Sequence, residues 1–239
     1  IVVGSATASD DRGQGLGIVL HNETNTDNHF GPIVGWSTKS NSNSYNSMYA
    51  YIVGKKTGQG TDANWSKGEL QFDTAGTKFG GSSAYFNDIP AMTITENGAV
   101  IMPYQPSFKI AWSTRSATGS DRFLSGNAGD SQYTGRDSHN TGNHFSVATG
   151  RFTVPVAGKY FFGFHGMRHG TNGSYLECRI KKNGSLMWAR AYGTFNEAHE
   201  YWSITTITDA AVGDYFQVFI SGATSIYYDD TYFYGYLIG

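Results

Sequence analysis

Along the last hundred residues, apolar and polar positions alternate with a period of two, in short runs broken by tight turns. The runs are Phe145 to Gly150, Arg151 to Tyr160, the aromatic stretch Phe161 to Phe164, Ile180 to Leu186, Tyr201 to Ile207, Tyr215 to Ile220 and a closing Tyr232 to Ile238. This pattern predicts half-buried strands, and the last run is so aromatic that it must be packed on both sides. Leu176, Cys178 and Ile180 take one face of a strand, and Tyr175, Glu177 and Arg179 take the other. Cys178 is therefore expected to be a small buried hydrophobe. A turn is expected at Pro155 to Gly158, and another at Lys182-Asn183-Gly184, whose residues tolerate positive φ. Tyr201 to Ile207 and Tyr215 to Ile220 are expected to pair as a hairpin across Asp209 to Asp214.

The first hundred residues read differently. Short apolar strands at Gly17 to Leu20, Met48 to Val53, Glu69 to Phe72 and Met92 to Ile94 are separated by polar stretches such as Asn22 to Asn28 and Lys39 to Ser47. Only 10 of the 36 aromatic residues lie in positions 1–100, against 21 in positions 140–239, so the first segment has little with which to build a core of its own. Burying its strands against copies of itself would stabilise it. Ala91 to Val100 alternates around Asn97-Gly98, a strong hairpin dipeptide, and Pro103 and Pro106 then interrupt any ladder. The junction between two domains is placed there, giving 1–101 and 102–239.

Composition supports an all-β chain with very little helix: 239 residues, 15% aromatic, 15% charged and 31 glycines. A net charge of -2 gives no footprint for a nucleic-acid backbone. No window approaches the roughly 18 apolar residues of a membrane-spanning helix. The chain opens at Ile1 without a methionine, as a processed product or the ordered part of something longer would. One cysteine cannot form an intrachain disulfide, so stability must come from burial or assembly. Glycine-spaced Gly13, Gly15 and Gly17 precede a strand and lack the phosphate-loop spacing, and Gly54-Lys55-Lys56-Thr57 lacks the upstream glycine of a nucleotide loop.

The order FSVATG, RFTVPVAGKY, the aromatic strand, IKKNGSL, VGD and YFYGYLI resembles the globular head family typified by complement subcomponent C1q, relatives of the tumour-necrosis-factor jelly rolls. The match runs from Phe145 to Gly239, with Phe108 to Trp112 as the first strand of the jelly roll. The polar stretch Ser113 to Asn143 is the part least like the family. The alternating Met-Thr-Ile-Thr strand and Asn-Gly turn ahead of a small terminal domain resemble bacteriophage tail or head fibres. Together the resemblances imply a β-rich fibre module followed by a jelly-roll knob, assembled as a homotrimer. Strand faces dense in Tyr and Phe exceed what one sandwich can hide, and three-fold packing would remove that surface from water.

Ser225 to Tyr234 carries the most suggestive surface chemistry. Tyr227, Tyr228 and Tyr232 can stack sugar rings while Asp229 and Asp230 accept hydroxyl hydrogen bonds. By analogy with the family's last loop, Tyr227 to Asp230 would be exposed at the free end of the domain and Phe233 to Leu237 buried at the trimer interface. Arg168, His169, Trp188 and Arg190 are further candidates for the same rim. His165 and His169 are four apart, yet the surrounding glycines place them in a polar loop rather than on a metal-binding helix face. Some family members hold calcium near the trimer axis, and the matching loop offers Asn196, Glu197 and Glu200 as oxygen donors, without the family's adjacent aspartates.

No carboxylate pair or activated serine presents itself for catalysis. The function expected is host recognition by a bacteriophage fibre on the outside of the virion. Its partners would be other virion structural proteins and a host-surface glycan or outer-membrane component. A purely structural capsid or neck fibre is the main rival, and a polysaccharide depolymerase and a secreted adhesin are the others.

Overall fold

The structure is a computed structural model. It describes residues 2–4, 17–19, 29–39, 46–58, 67–74, 90–111, 122–123, 139–169, 174–195, 200–222 and 225–239. The chain is all-β: among the described residues there is no α-helix, and the one helical segment is a 3-10 turn at Thr141–Asn143. It divides into two compact units, Ile1–Tyr104 and Gln105–Gly239.

In the first unit, β1 (Val2–Gly4) and β2 (Gly17–Val19) form an antiparallel pair. A five-stranded meander follows, of β3 (His29–Lys39), β4 (Asn46–Gly58), β5 (Lys67–Thr74), β6 (Met92–Ile94) and β7 (Val100–Ile101), each strand beside the next. β4 is far longer than its apolar centre suggests, and β3 was not expected. Gly31, Pro32 and Gly35 dilute the β3 signal, yet the strand pairs along most of β4 through two register shifts. β6 and β7 are joined by the Asn97-Gly98 turn. Gly98 sits at φ 82°, and the Thr95 hydroxyl closes the turn by accepting the Ala99 N–H at 3.0 Å.

The register lays Val34, Ile52, Phe72 and Met92 across one face of this meander, with Leu70, Ile94 and Val100 in the next row. Val53, Gln71, Asp73 and Thr93 are the buried residues of the opposite face. Tyr51 donates to Asp73 at 2.9 Å, and burial together with that carboxylate raises the phenol pKa. Among the described residues of this unit Val53 is the one buried apolar side chain, a thin core indeed.

The second unit is a sandwich. Its strands are β8 (Ser107–Ala111), β9 (Arg122–Phe123), β10 (His139–Asn140), β11 (Phe145–Ser146), β12 (Arg151–Thr153), β13 (Gly158–His169), β14 (Ser174–Lys182), β15 (Leu186–Phe195), β16 (Tyr201–Ala210), β17 (Tyr215–Gly222) and β18 (Ser225–Leu237). One sheet has the order β10-β8-β18-β13-β16, the other β11-β12-β17-β14-β15, with β9 also against β17. The connections from β13 to β14, β15 to β16, β16 to β17 and β17 to β18 all pass from one sheet to the other, which is jelly-roll winding.

Inward-facing aromatics fill the space between the sheets. Phe162 stacks on Phe216 at 4.1 Å and Phe108 on Phe152 at 4.7 Å, and Phe233 meets Phe108 edge-on at 5.0 Å. Tyr160 is fully buried and donates its hydroxyl to the Val156 carbonyl at 2.8 Å. Cys178 lies beside Leu176 and Ile180 on the inner face of β14, as its alternation predicts, and burial pushes its thiol up to about 12. Such a thiol is inert toward oxidation and metals.

Three sequence expectations change here. β16 and β17 do not pair: β16 runs beside β13 and β17 beside β14, so the Asp209 to Asp214 turn carries the chain across the sandwich. His165 and His169 lie on β13, not in a loop. Ser225 to Leu237 is one strand, so Tyr227 to Asp230 belong to its first half. The Asn183-Gly184 turn does form, with φ of 53° and 75°. Asn183 accepts the Tyr215 N–H at 2.9 Å and donates to Asp214 at 2.9 Å. Asp214 also takes Lys182 at 2.6 Å and the Ala211 N–H at 2.8 Å, and these partners, Lys182 foremost, lower its carboxyl pKa to about 2.

Candidate functional site

The sandwich has two open faces of opposite character. On the outward face of the β8-β18-β13-β16 sheet, strand register produces three rows: Ser107, Tyr236, Phe161 and Ile207; Lys109, Tyr234, Gly163 and Thr205; Ala111, Tyr232, His165 and Ser203. Phe161 stacks on Tyr236 at 5.3 Å and approaches Tyr234 at 6.1 Å. Gly163 leaves room for the Tyr234 ring, which a Cβ there would displace. Lys109 lies 4.8 Å over the Tyr232 ring, His165 bonds Ser203 at 2.8 Å, and His165 stacks on Tyr201 at 5.5 Å. Ser107, Lys109, His139, His165, Tyr232 and Tyr234 border a cavity of about 300 Å³ on this face. Tyr201 is 57% exposed and Ile207 59%, so the surface is broad and aromatic, with Lys109 on it and the Lys159–Asp209 ion pair, 2.9 Å, at its edge.

On the other sheet the outward face bears charge. Register sets Arg179 opposite Arg190 and Glu177 opposite Tyr192, with Tyr175 one step further. Glu177 receives Arg190 at 2.6 Å, Arg179 at 3.4 Å and the Tyr175 hydroxyl at 3.2 Å. The Arg190 guanidinium lies 4.5 Å from the Tyr192 ring. Near β17 this face is closed, since Phe219 and Gln217 are buried and Lys181 covers the Phe219 ring at 4.2 Å. Near β15 it is open, with Tyr192 66% exposed.

The sequence candidates fall at separate places. Register brings the backbones of Arg168 and His169 beside Ile226 and Ser225, next to Tyr227. Between His165 and Met167 the β13–β18 register shifts, and the residues of β18 from 228 to 231 bulge past it. The buried Thr231 accepts the Met167 N–H at 3.3 Å inside that bulge. Arg168, His169, Tyr227, Tyr228, Asp229 and Asp230 are thus at one end of the sandwich, where the β13–β14, β15–β16 and β17–β18 connections also lie. Ser107, where the chain enters this unit, pairs with Tyr236 at the other end. Tyr232 belongs to the aromatic face instead. Trp188 and Arg190 are on β15 in the opposite sheet, apart from the group at the strand ends.

Phe233 is also displaced from its expected role. It is 2% exposed inside the sandwich, and Gly235 packs under Phe162, so the outward aromatics of β18 are Tyr232, Tyr234 and Tyr236. Glu200 is half-buried just before β16, whereas Asn196 and Glu197 lie outside the described residues. Among the described residues no three His, Cys, Asp or Glu side chains converge for a metal. Tyr175, Glu177 and Tyr192 escaped the sequence reading. Alternation marked an outer face for Tyr175 and Glu177 and said nothing of Tyr192, and which outer face stays open depends on how the sandwich closes.

A family model described as the C1q domain matches residues 135–238. The second unit contains a C1q domain. Among solved structures, the globular domain of zebrafish complement 1qA protein is similar at 19% identity and a TM-score of 0.40, over 56% of this chain and 98% of that one. C1q domains are binding and structural modules rather than catalysts, and the two open faces of this one fit a binding role.

Proposed function

We propose that the chain is a homotrimeric recognition fibre of a bacteriophage virion, whose C1q head binds a host-surface glycan or outer-membrane component. Residues 1–101 would join it to other virion structural proteins. The observation that supports the trimer is the aromatic face of β18 and β13. Phe161, Tyr232, Tyr234 and Tyr236 line up in register beside the exposed Ile207. Exposed apolar surface of that extent marks an interface. At about 25 cal/mol per Å² of apolar area, a few hundred Å² hidden per copy would stabilise the assembly by several kcal/mol.

Packing that face around a three-fold axis leaves the strand ends at 169, 195 and 225 and the charged face of the other sheet available for recognition. The first unit supports a fibre context, because a meander with one buried apolar side chain among its described residues gains stability from neighbours. Three linked heads raise effective concentration, so weak single sites suffice. The test is to introduce Tyr236→Glu, which sets a charge beside Phe161 in the aromatic face. Dissociation into single chains, together with loss of host-cell binding, is the expected result. A variant that keeps its assembly state contradicts the assigned interface.

A further inference from the structure

We propose that Asn97 is a modification site: its side-chain amide is lost spontaneously in the folded protein, giving aspartate and isoaspartate, while the same dipeptide at Asn183-Gly184 is kept intact by Asp214 and Tyr215. This chemistry is independent of what the head binds.

The step needs water alone. The Gly98 backbone nitrogen attacks Cγ of Asn97, the Cγ–Nδ2 bond breaks and ammonia leaves, which closes a succinimide ring. Water then opens the ring at either carbonyl, giving aspartate or, with the main chain rerouted through Cγ, isoaspartate. Nothing is oxidised or reduced. Glycine at the following position matters because it has no side chain to crowd the attacking nitrogen.

The two turns share that dipeptide and differ in what surrounds it. Asn97 and Gly98 are exposed, and a Cβ placed on Gly98 would meet no atom within 4 Å, so the ring and the water have room. The Thr95 hydroxyl donates to Asn97 Oδ1 at 2.5 Å, where it stabilises the charge that develops on that oxygen during attack. Among the described residues no hydrogen bond retains Asn97 Nδ2, the leaving group.

Asn183 is tied at both ends of its amide. Its Oδ1 accepts the Tyr215 N–H at 2.9 Å, its Nδ2 donates to Asp214 at 2.9 Å, and its own N–H donates to the Tyr215 carbonyl at 2.9 Å. Asp214 is fixed in turn by Lys182 and the Ala211 N–H. Turning Cγ of Asn183 toward the Gly184 nitrogen breaks both side-chain bonds, and the Tyr215 hydroxyl lies 3.0 Å from where a Gly184 Cβ would be.

Local opening separates the sites further. In the closed hairpin the Gly98 N–H is bonded to the Thr95 carbonyl at 2.9 Å, so attack proceeds when β7 peels away. β7 is a two-residue strand at the edge of the meander, with Val100 56% and Ile101 49% exposed, so peeling uncovers little new apolar surface. The Thr95–Asn97 bond does not involve β7. The Asn183 turn instead joins β14 and β15, which pair from Ser174 with Phe195 to Lys182 with Leu186. The product adds a carboxylate beside Glu96, which already takes Lys67 at 3.5 Å and Thr57 at 2.8 Å, and isoaspartate lengthens the main chain within the turn.

The test incubates the full chain in heavy-oxygen water at mildly alkaline pH, folded and in urea, and follows tryptic peptides by mass spectrometry. Asn97 falls in Phe79 to Lys109, Asn183 in Asn183 to Arg190, and Asn172, a further Asn-Gly site outside the described residues, in His169 to Arg179, so each is read separately. Fragment ions distinguish Asn97 from Asn87 in the first peptide. Expected is heavy-oxygen aspartate and isoaspartate at Asn97, forming at least about tenfold faster than at Asn183 in the folded chain, with the two rates converging in urea. Asp214→Ala should raise the Asn183 rate severalfold and leave that of Asn97 as it is. The comparison with urea needs no variant, so it decides the matter even if Asp214→Ala unfolds. No product at Asn97 in the folded chain, equal folded rates at the two sites, or a rate ratio that urea leaves unchanged overturns the inference. So does a folded Asp214→Ala chain whose Asn183 is as stable as in the wild type.

Discussion

The two units bury their apolar residues in opposite ways. The sandwich encloses Phe108, Phe152, Phe162, Phe216 and Phe233 between its own sheets, each at 2% exposure or less. The meander of the first unit hides Val53 and leaves Val34, Trp36, Leu70 and Val100 each more than a third exposed. Both are antiparallel, and both follow the period-two pattern. Among the described residues what separates them is a second layer: paired sheets give every inward side chain a partner, whereas a lone sheet has one only where something else covers it. The second unit is therefore held by its own core, and the described residues of the first unit bury little apolar surface of their own.

Phe162→Ala should show this contrast most strongly. Removing a ring that stacks on Phe216 at 4.1 Å in a closed core should cost the head about 3–5 kcal/mol in denaturant unfolding, followed by the fluorescence of the buried Trp202. A loss below about 1 kcal/mol would mean the core is loosely packed. Gly163→Val comes next. Its side chain would displace the Tyr234 ring, at a cost of roughly 1–3 kcal/mol, and would disturb the aromatic face as well as the strand.

A smaller effect is expected at the clamp between turns. The Asp214 carboxyl, at about 2, lies below its ordinary 3.8, so its ion pair and hydrogen bonds stabilise the fold above roughly pH 4 and fade as pH falls toward 2. Asp214→Asn should lose on the order of 1 kcal/mol near neutrality and show a shallower acid transition over that window. An unchanged acid profile would show that Lys182 and Asn183 do not depend on the carboxylate. Smallest of all, Trp36→Ala in the first unit should shift stability by no more than about 0.5 kcal/mol in dissociated chains. A loss comparable with that of Phe162→Ala would erase the contrast between the units.

Much of the fold was legible where local chemistry has one solution. Asn97-Gly98 and Asn183-Gly184 form the tight turns their positive φ values allow, and Leu176, Cys178 and Ile180 face the core as their alternation demands. Legibility failed where a local pattern fits two long-range outcomes. A short turn such as Ala211 to Asp214 can fold β17 back along β16 or carry it to the other sheet, and alternation in the flanking strands is the same in both cases. Asp229 and Asp230 read as loop residues, but the backbone continues as strand beyond the register shift near His165. β3 was hidden by its Pro and Gly residues. The candidate residues Trp188 and Arg190 were marked by type alone. Their neighbours Tyr175, Glu177 and Tyr192 became visible once the register put them across from one another.

The account turns on the aromatic face of β18 and β13 being shared among three copies, and sedimentation equilibrium of the full chain measures that directly. The prediction is a species of three times 26.0 kDa that persists on dilution and that Tyr236→Glu converts to single chains. A stable, well-folded species of 26.0 kDa would contradict it.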